Sequence, residues 1–297
     1  MSVMGHVRAV AALVSWRHHA TGPRTLSMGI RLRTAAVNTD NETTVALGYT
    51  LSPHAVGGGS TGPPLVCLHG LFGSRANFRS QGKALGRALQ RDVVLVDARN
   101  HGASEHSTVM SYTAMAADVQ QLLASLGIDR AVVIGHSMGG KVAMNLALSH
   151  PELVERLVSV DVAPVAYATM SVICGVVNAM KAMPLDPDII NSREAADAWL
   201  SHGIPDVVMR QFILTNLITA KNANPPRWRV NLPAVARQME TIKGFDFPAG
   251  AVYSGKALFL YGSRGDYVVP ARHGATIRAL LPQSVTVPYD AAYWLHS

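Results

Sequence analysis

Of 297 residues, 48% are hydrophobic and 15% are charged, and the net charge is +7. That balance excludes a disordered chain and supplies enough apolar surface for one large core. The positive excess makes no case for nucleic-acid binding, because it is concentrated at one end. Arg8, Arg17, Arg24, Arg31 and Arg33 precede the first acidic residue, Asp40, and beyond them 21 basic residues face 19 acidic ones.

Residues 1–39 are Arg-rich and acid-free, with small apolar and hydroxyl side chains, which is the composition of a mitochondrial transit peptide. A basic tail is the plainer alternative. The apolar run VRAVAALVSW is too short and interrupted for a secretory signal, and no later segment reaches the ~18 apolar residues of a membrane span. The two cysteines, Cys67 and Cys174, are too few for a disulfide framework or a four-thiolate zinc site. Cys67 lies in an apolar run, where packing is its expected role, and no metal site is expected.

In chain order, TTVALGYTLS (43–52) predicts an early antiparallel strand and 54–64 a Gly/Pro loop. LVCLHG (65–70), VVLVDARNHG (93–102), AVVIGHSMGG (131–140) and LVSVDVAP (157–164) are uniformly apolar runs ending in Gly, Asp or His. Runs without alternation predict parallel strands buried on both faces. The helical patterns FRSQGKALGRALQ, YTAMAADVQQLLASLG and KVAMNLALSHPELVE lie between them, so the fold class is α/β, with ligands at the carboxyl ends of the strands. From 166 to 250 the rhythm turns helical with Pro and Gly punctuation, which predicts an inserted helical lid. The strand pattern resumes in ALFLYGSRGDYV (257–268), followed by the helix ARHGATIRALL and a last strand, QSVTVPYD (283–290). The expected division is therefore leader 1–39, core 40–165, lid 166–250 and core 251–297.

Within AVVIGHSMGGKVAMNLAL, Gly135, Ser137 and Gly139 form G-x-S-x-G between a strand and a helix, the setting in which a strained turn lifts a serine above a sheet. Ser137 is the expected nucleophile. It needs a base to take its proton and donors for the developing oxyanion. The backbone amides of Met138 and Leu71, the latter in LHGLFG, are the expected donors. His69, His101 and His136 adjoin glycine turns, where structural hydrogen bonding is the expected role.

These stretches, with LHGLFGSRANF, VVLVDARNHGASEHS, HPELVERLVSVDVAPV and LTNLI…WRVNL, resemble the α/β-hydrolases, and within them the mitochondrial sn-1-specific diacylglycerol lipase group and its small bacterial esterase relatives. The resemblance covers most of 64–288. It implies an α/β-hydrolase fold and hydrolysis of carboxylic esters, with acylglycerols as substrates, by Ser, His and Asp without metal or organic cofactor. It also implies a mitochondrial matrix location and, as family context, binding to a 2-oxoacid dehydrogenase complex. For the acid, the resemblance points to Asp161 in SVDVAPV, with Asp266 in GSRGDYV as the alternative from the general fold. Pro233 stands where an acid is placed in the WRVNL segment of some relatives, and it cannot serve.

The family's last strand leads to a loop reading A-G-H-W, whose histidine is the base. Aligning Trp294 with that tryptophan puts Tyr293 at the histidine and Ala292 at the glycine, and leaves His296 as the nearby candidate base. The family's terminal helix has no counterpart in this sequence. Three readings follow. The chain is a truncated or alternatively spliced hydrolase, an enzyme with His296 as base, or a non-catalytic hydrolase-fold protein that binds a lipid or a partner enzyme.

Overall fold

A computed structural model describes residues 38–39, 42–54, 60–219 and 225–290. The apolar runs become strands: β1 (Tyr49–Ser52), β2 (Leu65–Leu68), β3 (Val93–Val96), β4 (Ala131–His136), β5 (Val154–Val160), β6 (Lys256–Gly262) and β7 (Ser284–Tyr289). They form one sheet in the order β7-β6-β5-β4-β2-β3-β1, parallel except for β1, which runs antiparallel to β3. β1 is shorter than the sequence pattern suggests, pairing only over Tyr49–Ser52 with Val93–Val96.

The lack of alternation in these runs has a direct cause, since both faces of the central strands are covered. Val66 and Leu68 of β2 join one apolar cluster, while Leu65 and Cys67 join the other. In β6, Ala257 and Phe259 divide from Leu258 and Leu260 in the same way. Burial pushes the Cys67 thiol up to about 12, so it stays a neutral packing group. Helix α1 (Arg79–Leu89) covers the second face through Leu85. Helices α2 (Tyr112–Ser125) and α3 (Met138–Ser149) cover the first. Helix α3 begins three residues before the expected KVAMNLAL pattern, because Gly139 and Gly140 let the helix start against the strand ends.

Between β5 and β6 the chain forms α4 (Ser171–Ala182), α5 (Arg193–Leu200), α6 (Val207–Ile213), α7 (Leu232–Arg237) and α8 (Met239–Lys243). Ser192, Asp206 and Asn231 cap α5, α6 and α7, accepting from Ala195, Met209 and Ala234 amides at 3.1, 2.9 and 3.3 Å. A two-residue antiparallel ladder, Leu217–Ile218 with Arg227–Trp228, is too short to leave a periodic signal in sequence. Helix α9 (Pro270–Leu280) then connects β6 to β7.

The exit of this helical segment is laced to the core. Tyr112 Oη donates to Ile242 O at 2.7 Å, Lys141 Nζ to Lys243 O and Gly244 O at 2.9 and 2.5 Å, and Asn145 Nδ2 to Asp246 O at 2.6 Å. Lys141 also lies over the Tyr167 ring, 4.7 Å from its centroid. Its burial lowers the ammonium to about 7, against the attraction of Asp246.

Candidate active site

The non-glycine residues with left-handed backbone mark one edge of the sheet. Among the described residues, four of the five follow the carboxyl ends of successive parallel strands: Phe72 after β2, Asn100 after β3, Ser137 after β4 and Asp161 after β5. Such conformations cost on the order of 1–3 kcal/mol each and persist where the surroundings over-determine them. The fifth, Gln90, ends α1.

Ser137 has φ 51° and ψ −118°, outside the ordinary left-handed basin, at the turn from β4 into α3. Its amide donates to Val160 O at 2.9 Å, and its carbonyl accepts from Gly140 and Lys141 amides, locking the turn from both sides. The flanking glycines are a steric requirement. A Cβ on Gly135 would lie 2.1 Å from Gly139 O, and one on Gly139 would lie 2.3 Å from Leu68 O. The sequence spacing therefore reflects three backbones in contact at the elbow.

The loop after β2 faces the serine. A Cβ on Gly70 would come 2.9 Å from His136 Nδ1 and 3.3 Å from Ser137 Cβ. Gly73 N–H donates to Gly70 O at 2.9 Å, closing a tight turn with Leu71 at its apex and Phe72 at φ 62°. This turn is braced on several sides. His69 donates from Nδ1 to Gly70 O at 2.7 Å and accepts at Nε2 from Ala98 N–H at 3.0 Å. His101 donates to Arg99 O at 2.9 Å and accepts from Phe72 N–H at 3.2 Å. Burial lowers both imidazoles, His101 to about 3, so they stay neutral and keep these donor and acceptor roles. Asp97, at the end of β3, accepts from Arg75 N at 2.6 Å, from the Arg75 guanidinium and from Ala103 N at 2.9 Å.

Two asparagines of the helical segment complete the bracing, and sequence reasoning assigned neither a role. Asn216 Nδ2 donates to Phe72 O at 2.7 Å. Asn231 Nδ2 donates to Asn100 Oδ1 at 2.9 Å, while its own amide donates to Asn100 O at 2.9 Å. The stretches LTNLI and WRVNL thus tie the helical segment to the loops after β2 and β3. Their only visible trace in sequence was their presence in the resemblance.

Ser137, Leu71 and His136 line a narrow cleft with Met170 and Ile173 from the α4 end and Met209 and Phe212 from α6. Its free space is about 30 Å³, room for roughly two water molecules. Among the described residues, no group of three or more His, Cys, Asp or Glu is arranged to hold a metal ion. None of their helices is long and apolar enough to cross a membrane.

Two aspartates compete for the acid role, and their surroundings differ. Asp161 follows β5, is 3% exposed and has φ 54°. Its Oδ1 accepts from Gly262 N–H at 2.7 Å, and its Oδ2 accepts from the Tyr289 hydroxyl. Desolvation pushes this carboxyl up to about 6, while the two hydrogen bonds oppose the rise. The Asp266 side chain is 97% exposed and lies 3.7 Å from the Arg272 guanidinium. Asp161 has the buried, hydrogen-bonded setting that an acid oriented toward a base requires. Tyr289 as its partner left no signal in sequence, because only the pairing of β7 with β6 brings the two together. His296, Tyr293, Ala292 and Trp294 lie outside the described residues.

Comparisons with known proteins identify the fold and the family. A model of the alpha/beta hydrolase fold matches residues 63–177. The sn-1-specific diacylglycerol lipase ABHD11 of Mus musculus is 45% identical over 251 residues, covering 83% of this chain and 80% of that protein. The esterase YbfF of Escherichia coli is 34% identical over 240 residues, covering 79% and 87%. Among solved structures, a marine microorganism esterase, 31% identical, superposes with a TM-score of 0.74 over 85% of this chain and 94% of its own. The chain belongs to the α/β-hydrolase family, similar over most of its length to the sn-1-specific diacylglycerol lipases, and is an ester hydrolase by family.

Proposed function

We propose that this chain cleaves acylglycerol-type carboxylic esters through a covalent acyl-enzyme on Ser137. The observation that carries the reading is the strained Ser137 backbone at the strand-to-helix turn, beside an apolar cleft. In this reading Asp161 is the acid, and the amides of Leu71 and Met138 receive the oxyanion. A base takes the Ser137 proton as Oγ attacks the acyl carbonyl, and the tetrahedral intermediate collapses as the base returns that proton to the leaving alcohol. Water, deprotonated by the same base, then releases the fatty acid. His296 is the candidate base. The similarity to diacylglycerol lipases and the methionine and phenylalanine lining support an acyl substrate. Residues 166–250 act as a lid, with Met170 and Ile173 at the α4 end and Met209 and Phe212 of α6 facing the cleft.

The arginine-rich 1–39 segment supports import into mitochondria, with the matrix as destination. A 2-oxoacid dehydrogenase complex as partner rests on the family resemblance alone.

Tyr293, aligned with the family's histidine, favours a second reading, a hydrolase-fold protein that binds without turnover. Labelling of the full chain by a fluorophosphonate probe separates the two. Catalysis predicts labelling that Ser137→Ala abolishes. A silent parent that Tyr293→His restores favours the binding protein, because loss of such a base costs on the order of 10⁶ in turnover. Silence in both the parent and Tyr293→His, or labelling that survives Ser137→Ala, overturns Ser137 as nucleophile.

A further inference from the structure

The carboxylate of Asp161 is held from two strands, neither of which adjoins the strand that carries Ser137. Gly262 ends β6, next to β5, and Tyr289 ends β7, one strand further out. The two lie opposite each other in the parallel register. Neighbouring strands are ~4.8 Å apart, so the Tyr289 side chain reaches back across the end of β6 to meet a carboxylate from the strand beyond it. A phenyl ring would fill the same place in the apolar cluster that holds Leu258 and Leu260. What the hydroxyl adds is a hydrogen-bond donor.

We propose that Tyr289 is a positioning residue, whose hydroxyl keeps the Asp161 carboxylate ionised and fixed at the sheet edge where a general base must meet it. The inference rests on reading Asp161 as the catalytic acid. A carboxylate oxygen has two lone pairs, so Oδ2 can accept from Tyr289 and from an imidazole at once. A donor to the charged form also opposes the desolvation that pushes this carboxyl upward.

The other ionisable groups near Asp161 act on it less directly. Tyr167, after β5, feels its charge, donates to Tyr267 O at 2.6 Å and accepts from Ala163 N–H at 2.9 Å. Tyr267, His273 of α9 and Lys141 of α3 pack around the Tyr167 ring. His136, at the end of β4, pairs in register with Val160. Among the described residues, Tyr289 is the one side-chain donor to the carboxylate.

The test is thermal unfolding of the full chain across pH for the parent, Tyr289→Phe, Asp161→Asn and the double variant. Loss of the donor raises the folded-state value of Asp161 beyond about 6. The melting temperatures of parent and Tyr289→Phe therefore agree most closely near pH 5, where Asp161 is protonated in both, and diverge as pH rises above 6. In the Asp161→Asn background that pH-dependent gap closes. A gap that is constant with pH, or that survives Asp161→Asn, means a packing role and overturns the proposal. The pH profile of fluorophosphonate labelling supplies the catalytic readout, taken in whichever of the parent and Tyr293→His labels. Tyr289→Phe moves its acid limb to higher pH, whereas a uniform drop or a gain in labelling overturns the positioning role. If neither chain labels, the catalytic reading fails, while the unfolding cycle still decides whether Tyr289 holds the Asp161 anion.

Discussion

Asp161 is costly to the fold in its charged form, because its carboxyl is buried. Its folded-state value is raised from 3.8 to about 6, so the folded protein binds a proton that the unfolded chain has already released. Below pH 4 both states are protonated and the residue costs nothing. As pH rises from 4 through 6 the penalty grows, and above 6 it is full, about 3 kcal/mol for a shift of this size. Asp161→Asn tolerates the same left-handed backbone and can still accept from Gly262. It is expected to match the parent near pH 4 and to unfold at a higher temperature at pH 8, while losing activity. Calorimetry at the two pH values checks this, and an Asp161→Asn variant that is less stable at pH 8 refutes it. Asp161 and Ser137 were both legible in the sequence because motif and strand rhythm put them at strand ends. The difference in burial between Asp161 and Asp266 was not, since burial depends on which strands lie beyond each residue.

At the scale of elements, the site is a set of loops held from outside themselves. The turn Gly70–Gly73 is pinned by His69, His101 and Asn216, the last from a segment 144 residues away in sequence. Removing the asparagine leaves Phe72 O without this partner, an effect of about 1–3 kcal/mol on stability. It also loosens the turn that presents Leu71. Asn216→Leu is expected to remain folded, with turnover lowered about 10- to 100-fold and KM changed much less, as an oxyanion donor whose complete loss costs about 3 kcal/mol is partly misplaced. Steady-state kinetics on a short-chain ester check it, and an effect confined to KM would place Asn216 in substrate binding instead. The helices between β5 and β6 were legible as helices. Their attachment through Tyr112, Lys141 and Asn145 was not, because each contact joins residues about 100 or more positions apart.

For the whole molecule, topology explains why the candidate site residues share one edge. Parallel strands all present their carboxyl ends to the same side, so β2, β4, β5, β6 and β7 deliver Leu71, Ser137, Asp161, Gly262 and Tyr289 there. The charge asymmetry makes a prediction at this scale too. Residues 1–39 fused to a fluorescent reporter are expected to direct it to mitochondria, and replacing the five arginines by glutamine is expected to leave it in the cytosol. A reporter that is cytosolic with the arginines intact argues against import.

The sequence by itself determined the α/β class, the order of the strands along the chain, the elbow at Ser137 and the structural roles of His69 and His101. These follow from local rules: unbroken apolar runs need two covered faces, and G-x-S-x-G between strand and helix needs small residues where backbones touch. Only the tertiary structure decided that Asp161 is buried and Asp266 exposed, that Asn216 and Asn231 brace the loops, and that Tyr289 meets Asp161. Those relations are set by strand order and register, which bring together residues up to 144 positions apart and leave no mark on the segments themselves.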